Sequence, residues 1–171
     1  KVYKDAEHRG FHRLAEYQEG RKVRGSRDAR ALRSSGRHGR ELQEARWKNA
    51  EVEALYILDR AGVRVPKPYG VFDGVLLMEL VADEQGHPAP RLGDLALSPE
   101  QARLWHQFLL SQVVRMLGAG LIHGDLSEFN VLVDATGPVI IDLPQAVDAA
   151  SNNNAFRMLE RDINNLRETF G

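Results

Sequence analysis

Leu121 to Asp142 reads LIHGDLSEFNVLVDATGPVIID. It holds His123, Asp125 and Asn130, then an apolar run, a turn at Ala135–Gly137, a second apolar run and Asp142. Two apolar runs around a short turn predict a β-hairpin. A hairpin sets a fixed distance between the Asp and Asn before it and the Asp after it. That arrangement suits phosphoryl transfer: one carboxylate orients a hydroxyl, while Asn and the second carboxylate hold magnesium against nucleotide phosphates. Magnesium prefers oxygen ligands and keeps several waters, so two protein ligands suffice.

Outward from this stretch, the preceding residues predict a helix. Ser98-Pro99-Glu100-Gln101 is a start signal, with Ser as N-cap, Pro at the first position and Gln at the third. Trp105, Phe108, Leu109, Gln112, Val113 and Met116 mark its mainly apolar face, and Gly118 and Gly120 end it. Beyond Asp142, Pro144 interrupts the strand and Asn152–Asn154 form a polar turn. Phe156, Leu159, Ile163, Leu166 and Phe170 then define an amphipathic helix, with Arg161 and Asp162 beside its stripe.

Towards the start, Lys1 to Lys4 reads as the end of a strand. Arg21 to Arg40 is a basic segment with Asp28 as its one counter-charge; as a solvated loop it would also offer a phosphate or RNA contact surface. Glu41 to Ala61 is helical in pattern, with Trp47, Glu51, Leu55 and Leu58 on one face and Gly62 as the stop. Glu51 is thus a carboxylate on an apolar stripe: either it meets a cationic partner from another element, or it sits at the stripe's edge and reaches water. Tyr69–Phe72 and Val75–Leu80 flank Asp73-Gly74, a strong hairpin signal, and the second run is long enough for a central buried strand. Asp83 to Leu97 reads as a connector.

Composition narrows the classes. The 171 residues fit one domain or two small lobes around a cleft. A formal net charge of −1 names no partner, and the absence of Cys excludes disulfides, zinc–thiolate sites and a cysteine nucleophile. No apolar run approaches the roughly 18 residues of a membrane span, so a cytoplasmic protein is expected. A first residue of Lys rather than Met reads as a fragment.

HGDLSEFN followed by IIDLPQ resembles the catalytic and metal-binding loops of the RIO family of atypical protein kinases. The His-x-Asp-x-x-x-x-Asn part is shared with protein kinases at large and with aminoglycoside and choline phosphotransferases. Ser127-Glu128-Phe129 and Asp142-Leu143-Pro144-Gln145 narrow it to RIO. The resemblance implies an α+β, bilobal protein-kinase-like fold, truncated in its N-terminal lobe. Residues 1–81 would be the partial N-terminal lobe and residues 82–171 the C-terminal lobe.

The resemblance further implies ATP and Mg2+ as cofactors and a serine kinase or ATPase activity. Asp125 would be the catalytic carboxylate. Asn130 and Asp142 would ligate the metal, and Asp142 would accept phosphate in some members. Lys1, with Lys4 as its competitor, would bind the α- and β-phosphates and pair with Glu51. Met78 would be the gatekeeper, with Glu79, Leu80 and Val81 as the hinge, and Leu132 and Ile141 would pack on adenine. Ser26, Ser34 and Ser35 in the basic loop would be autophosphorylation candidates. A protein substrate, and ribosomal or RNA contact through Arg21–Arg40, are the implied partners; the family's glycine-rich strand pair would precede Lys1. Two rival readings carry different chemistry: a small-molecule phosphotransferase, whose kind lacks the Leu-Pro-Gln run, and a non-catalytic, ATP-switched RNA-binding module.

Overall fold

The computed structural model describes residues 50–171. Its first helix, α1, covers residues 50–60 and turns Glu51, Ala54, Leu55 and Leu58 inward. Glu51 is 4% exposed, so the reading in which it reaches water at the stripe's edge is overturned. The helix ends as its glycine predicts. Gly62 adopts φ 71, its N–H donates to the Asp59 carbonyl at 3.1 Å, and the Val63 N–H donates to the Leu58 carbonyl at 3.0 Å. This pair of bonds needs a left-handed residue, which a Cβ would strain.

The following segment is tied to later parts of the chain. The Arg64 N–H donates to Oε1 of Gln112 at 2.9 Å, its carbonyl accepts from Ile140, and its guanidinium pairs with Asp134. Gln112 is a polar residue on the buried face of the next helix, and this bond satisfies it.

Strands β1 (Pro68–Phe72) and β2 (Val75–Met78) form the expected hairpin. Asp73 and Gly74 take φ 48 and φ 74, the left-handed pair of a two-residue turn that matches strand twist. The central position expected of the second run depends on a neighbour from outside the described residues. Among the described residues β2 pairs only with β1; Leu76 alone is buried, while Leu77 is 51% and Leu80 66% exposed. A continuous apolar run cannot distinguish one buried face from two. The connector is more ordered than its composition suggests: Ala82 bridges Pro88, Arg91 bridges Leu132, and Leu92–Asp94 is a 3₁₀ turn.

Helix α2 (Pro99–Gly118) opens with the predicted capping box, the Ser98 hydroxyl accepting from the Gln101 N–H. It buries Leu109, Gln112, Val113 and Met116, with Trp105 and Phe108 packed partly against the same core. Two short antiparallel pairings then follow: β3 (Leu121–Ile122) with β6 (Val147–Asp148), and β4 (Val131–Asp134) with β5 (Gly137–Ile140).

Helix α3 (Ala155–Phe170) forms, and its inward face shares Leu159, Leu166 and Phe170 with the predicted stripe but not Phe156 or Ile163. Ala155, Met158, Asp162 and Leu166 are buried; Phe156 is 74% exposed and Ile163 38% exposed. The helix is rotated by about one residue because Asp162 turns inward to bond backbone amides, and Phe156 and Ile163 turn outward with that rotation. The Asn152–Asn154 turn precedes it, though Asn154 makes no side-chain cap. Among the described residues no helix is long and apolar enough to cross a membrane.

Candidate active site

Two strand pairings bring the site together. The β3–β6 ladder, Leu121 opposite Asp148 and Ile122 opposite Val147, zips the start of the loop at residues 123–130 to the segment after Asp142. The β4–β5 ladder sets Val131 opposite Ile140, and one step further the Ile141 N–H donates to the Asn130 carbonyl at 2.9 Å. Asp142 therefore emerges beside Asn130, as the hairpin predicted.

Asp125 is held through its backbone and its carboxylate. Nδ2 of Asn130 donates to the Asp125 carbonyl at 2.7 Å and lies 3.5 Å from Oδ2 of its side chain. Nε2 of Gln145 donates to that same Oδ2 at 3.1 Å. His123, 2% exposed, accepts from the Asp125 N–H at Nδ1 (3.3 Å), and Nε2 donates to the Ile141 carbonyl at 3.0 Å. One imidazole thus joins the residue before Asp142 to Asp125, which is a structural task rather than that of a base.

Helix α3 supplies the anchor that sequence reasoning missed. Asp162, 2% exposed, accepts from the Gly124 N–H at 2.8 Å and from the Leu126 N–H at 2.9 Å, one on each carboxylate oxygen. Arg161 donates to the Gly124 carbonyl, and Nδ2 of Asn165 to the Leu126 carbonyl at 2.8 Å. Burial pushes the Asp162 carboxyl above its usual range; the N–H groups of Leu126 and Gly124 and the nearby Arg161 guanidinium offset this only in part. The one signal in the sequence was an acidic residue at the edge of an apolar stripe.

Asp142 is exposed and takes φ 65, a left-handed conformation that costs a non-glycine residue on the order of 1–2 kcal/mol. Ile140 (0% exposed) and Leu143 (1% exposed) clamp the backbone on either side. Such strain persists only where surrounding packing determines it, and it is common at functional sites.

Asn130 and Asp142 open onto a cavity of about 380 Å³. Glu51, Met78, Glu79, Leu80, Val81, Leu132 and Ile141 line it too, so seven further residues singled out from sequence share one wall system. Asp125 stands behind Asn130 and is not part of the lining. Leu55, Pro66, Pro88, Arg91, Phe129 and Leu143 complete it; their apolar or loop character gave no signal of a cavity. Lys1, Lys4, Ser26, Ser34, Ser35 and the whole basic segment Arg21–Arg40 lie outside the described residues. Among the described residues no cluster of three or more His, Asp or Glu could hold a metal. The donor set nevertheless fits magnesium, which needs one or two protein oxygens: the Asp142 carboxylate and the Oδ1 that Asn130 keeps after committing its Nδ2 to Asp125.

A mixed helix and strand architecture with these two loops around a cleft defines the α+β protein-kinase-like class. The family model of the RIO domain matches residues 7–171, and the chain belongs to that family. It is 39% identical over 124 residues to the RIO-type serine/threonine-protein kinase Rio1 of Haloferax volcanii, covering 72% of this chain and 41% of that protein. It is 35% identical over 128 residues to the Rio1 kinase of Thermoplasma acidophilum, covering 72% of this chain and 63% of the relative. Among solved structures, the Rio2 kinase–ADP/Mg2+–phosphoaspartate complex from Chaetomium thermophilum superposes with a TM-score of 0.64 at 28% identity, covering 88% of this chain and 45% of that one. The chain thus spans about two fifths to three fifths of these relatives' length.

Proposed function

We propose that this chain forms the nucleotide and phosphoryl-transfer centre of a RIO-type serine kinase or ATPase. The observation that carries the reading is that Asn130 and Asp142 open onto one largely apolar cavity, with Asp125 bonded directly behind Asn130 and Asp142 in a strained conformation. ATP is the nucleotide. Its adenine lies between Leu132 and Ile141 on one side and the hinge, Glu79 to Val81, on the other. The hinge is suited to this: the Glu79 N–H is taken by the Lys67 carbonyl and the Val81 carbonyl by the Ala89 N–H. Among the described residues that leaves the Glu79 carbonyl and the Val81 N–H for an adenine edge.

Asn130 and Asp142 hold Mg2+, which when bound neutralises charge on the transferring phosphoryl group. Asp125 orients the acceptor hydroxyl and takes its proton late. Lys1, aligned by Glu51, binds the α- and β-phosphates. The acceptor is Ser, on a protein substrate or on this chain, or else Asp142 itself, as in the phosphoaspartate named for the Rio2 relative. Residues 1–81 and 82–171 are the two lobes on either side of the nucleotide, and the protein works in the cytoplasm.

Calorimetric titration of the intact gene product with ADP, with and without Mg2+, tests the nucleotide part. Binding is expected to tighten with Mg2+ in the parent and to lose that dependence in Asp142→Asn. ADP affinity that is indifferent to Mg2+ in both would overturn the metal assignment.

A further inference from the structure

We propose that Gln145 is a catalytic residue: beside Asp125, its amide holds the water that hydrolyses a phosphoryl group carried on Asp142. The proposal rests on the phosphoryl-transfer reading above and adds the step that returns the centre to its starting state.

Gln145 is placed by a rigid turn. Leu143 to Ala146 close a four-residue turn through the Ala146 N–H and the Leu143 carbonyl at 3.0 Å. Pro144 occupies its second position, where its ring presets the backbone. Leu143, Ala146 and Val147 are all buried, so both ends of the turn are fixed. Half-buried Gln145 sits three residues after Asp142 and reaches Oδ2 of Asp125 through Nε2 at 3.1 Å.

This contact sorts the remaining atoms. Both nearby amides, from Gln145 and Asn130, face Oδ2 of Asp125. Among the described residues Oδ1 of Asp125 has no donor and Oε1 of Gln145 has none. An amide carries its donor and acceptor on one carbon, so fixing Nε2 also fixes Oε1 beside the same carboxylate. A water between these two acceptors donates one proton to each and keeps a lone pair for phosphorus. A hydroxyl acceptor has one proton to give and needs Asp125 alone. Gln145 therefore serves hydrolysis, in the manner of a carboxamide that orients attacking water in other phosphohydrolases.

The step balances. The water oxygen bonds to phosphorus, the P–O bond to Asp142 breaks and its electron pair returns to that carboxylate. The proton released passes to Oδ1 of Asp125, and inorganic phosphate leaves.

The test follows the phosphorylated protein by intact mass after a pulse of Mg-ATP, with phosphate release and ADP titration alongside. It uses the parent gene product, Gln145→Met, Gln145→Ala and Asp125→Ala. In both Gln145 variants the phosphorylated form is expected to appear at the parent's rate, to persist roughly tenfold longer or more, and to release phosphate correspondingly slowly. ADP affinity is expected within about twofold of the parent. An unchanged lifetime overturns the proposal, as does a formation rate that falls as far as release does, since Gln145 would then only brace Asp125. A parent that forms no phosphorylated protein and releases no phosphate fails the kinase reading itself, and this proposal with it.

Discussion

At the residue scale, Asp162 shows how one buried carboxylate holds the loop that carries Asp125. It accepts the backbone N–H groups of Gly124 and Leu126, one on each oxygen, in a buried site. Asp162→Ala leaves both unmet, at about 1–3 kcal/mol each. Urea unfolding should show a loss of about 2–5 kcal/mol; a loss within about 0.5 kcal/mol would mean the loop finds other partners. The pH dependence has a definite sign. Burial raises the folded-state pKa of Asp162 above its ordinary 3.8. Its contribution to stability is then fully present below the unfolded value and is lost as pH rises through the folded value. The parent's margin over Asp162→Asn should shrink as pH rises from 3.8, and a margin that grew over that interval would contradict the burial argument. Asp148 runs the other way. Bonds from Ser151, then Ala150, outweigh its slight burial and hold its pKa below 3.8, so its contribution is lost on acidification.

At the element scale, the two long helices separate what pattern can and cannot reveal. Helix α2 was legible because its start is written in local chemistry, Ser98, Pro99 and Gln101, and because its apolar face is continuous. Helix α3 was legible as a helix but not in its rotation. Phe156 and Ile163 completed a clean stripe, yet the face that turns inward is chosen by Asp162 and the amides it must reach, thirty-six and thirty-eight residues away in sequence. The difference is measurable. Phe156→Ser and Ile163→Ser should each shift stability by less than about 1 kcal/mol, whereas Leu166→Ala, at a fully buried position, should cost about 2–5 kcal/mol. Comparable losses at all three sites would restore the stripe read from sequence. The end of α1 offers an independent check: Gly62→Ala puts a Cβ on a residue at φ 71, 3.3 Å from the Arg115 guanidinium, and should cost about 1–2 kcal/mol.

At the scale of the whole molecule, the site was legible where its parts are close in sequence. Asp125, Asn130 and Asp142 lie within eighteen residues, and the hairpin between them could be read from its turn and its two apolar runs. The cavity that Asn130 and Asp142 open onto was legible only through family resemblance. Its walls come from α1, β2, the connector and β4–β5, which no periodicity relates to one another. The ties through Arg64 were invisible for the same reason: they join the segment after α1 to α2, β4 and β5 across 48 and 70 residues. The central claim, that these parts make one phosphoryl-transfer centre, is tested most directly by incubating the intact gene product with γ-labelled ATP and Mg2+, beside Asp125→Ala and Asp142→Asn. The account predicts label on the parent protein or labelled phosphate released from it, both reduced at least about a hundredfold in Asp142→Asn, with phosphate release and serine label reduced as far in Asp125→Ala. Phosphate release and serine label that persist undiminished in Asp125→Ala would contradict it.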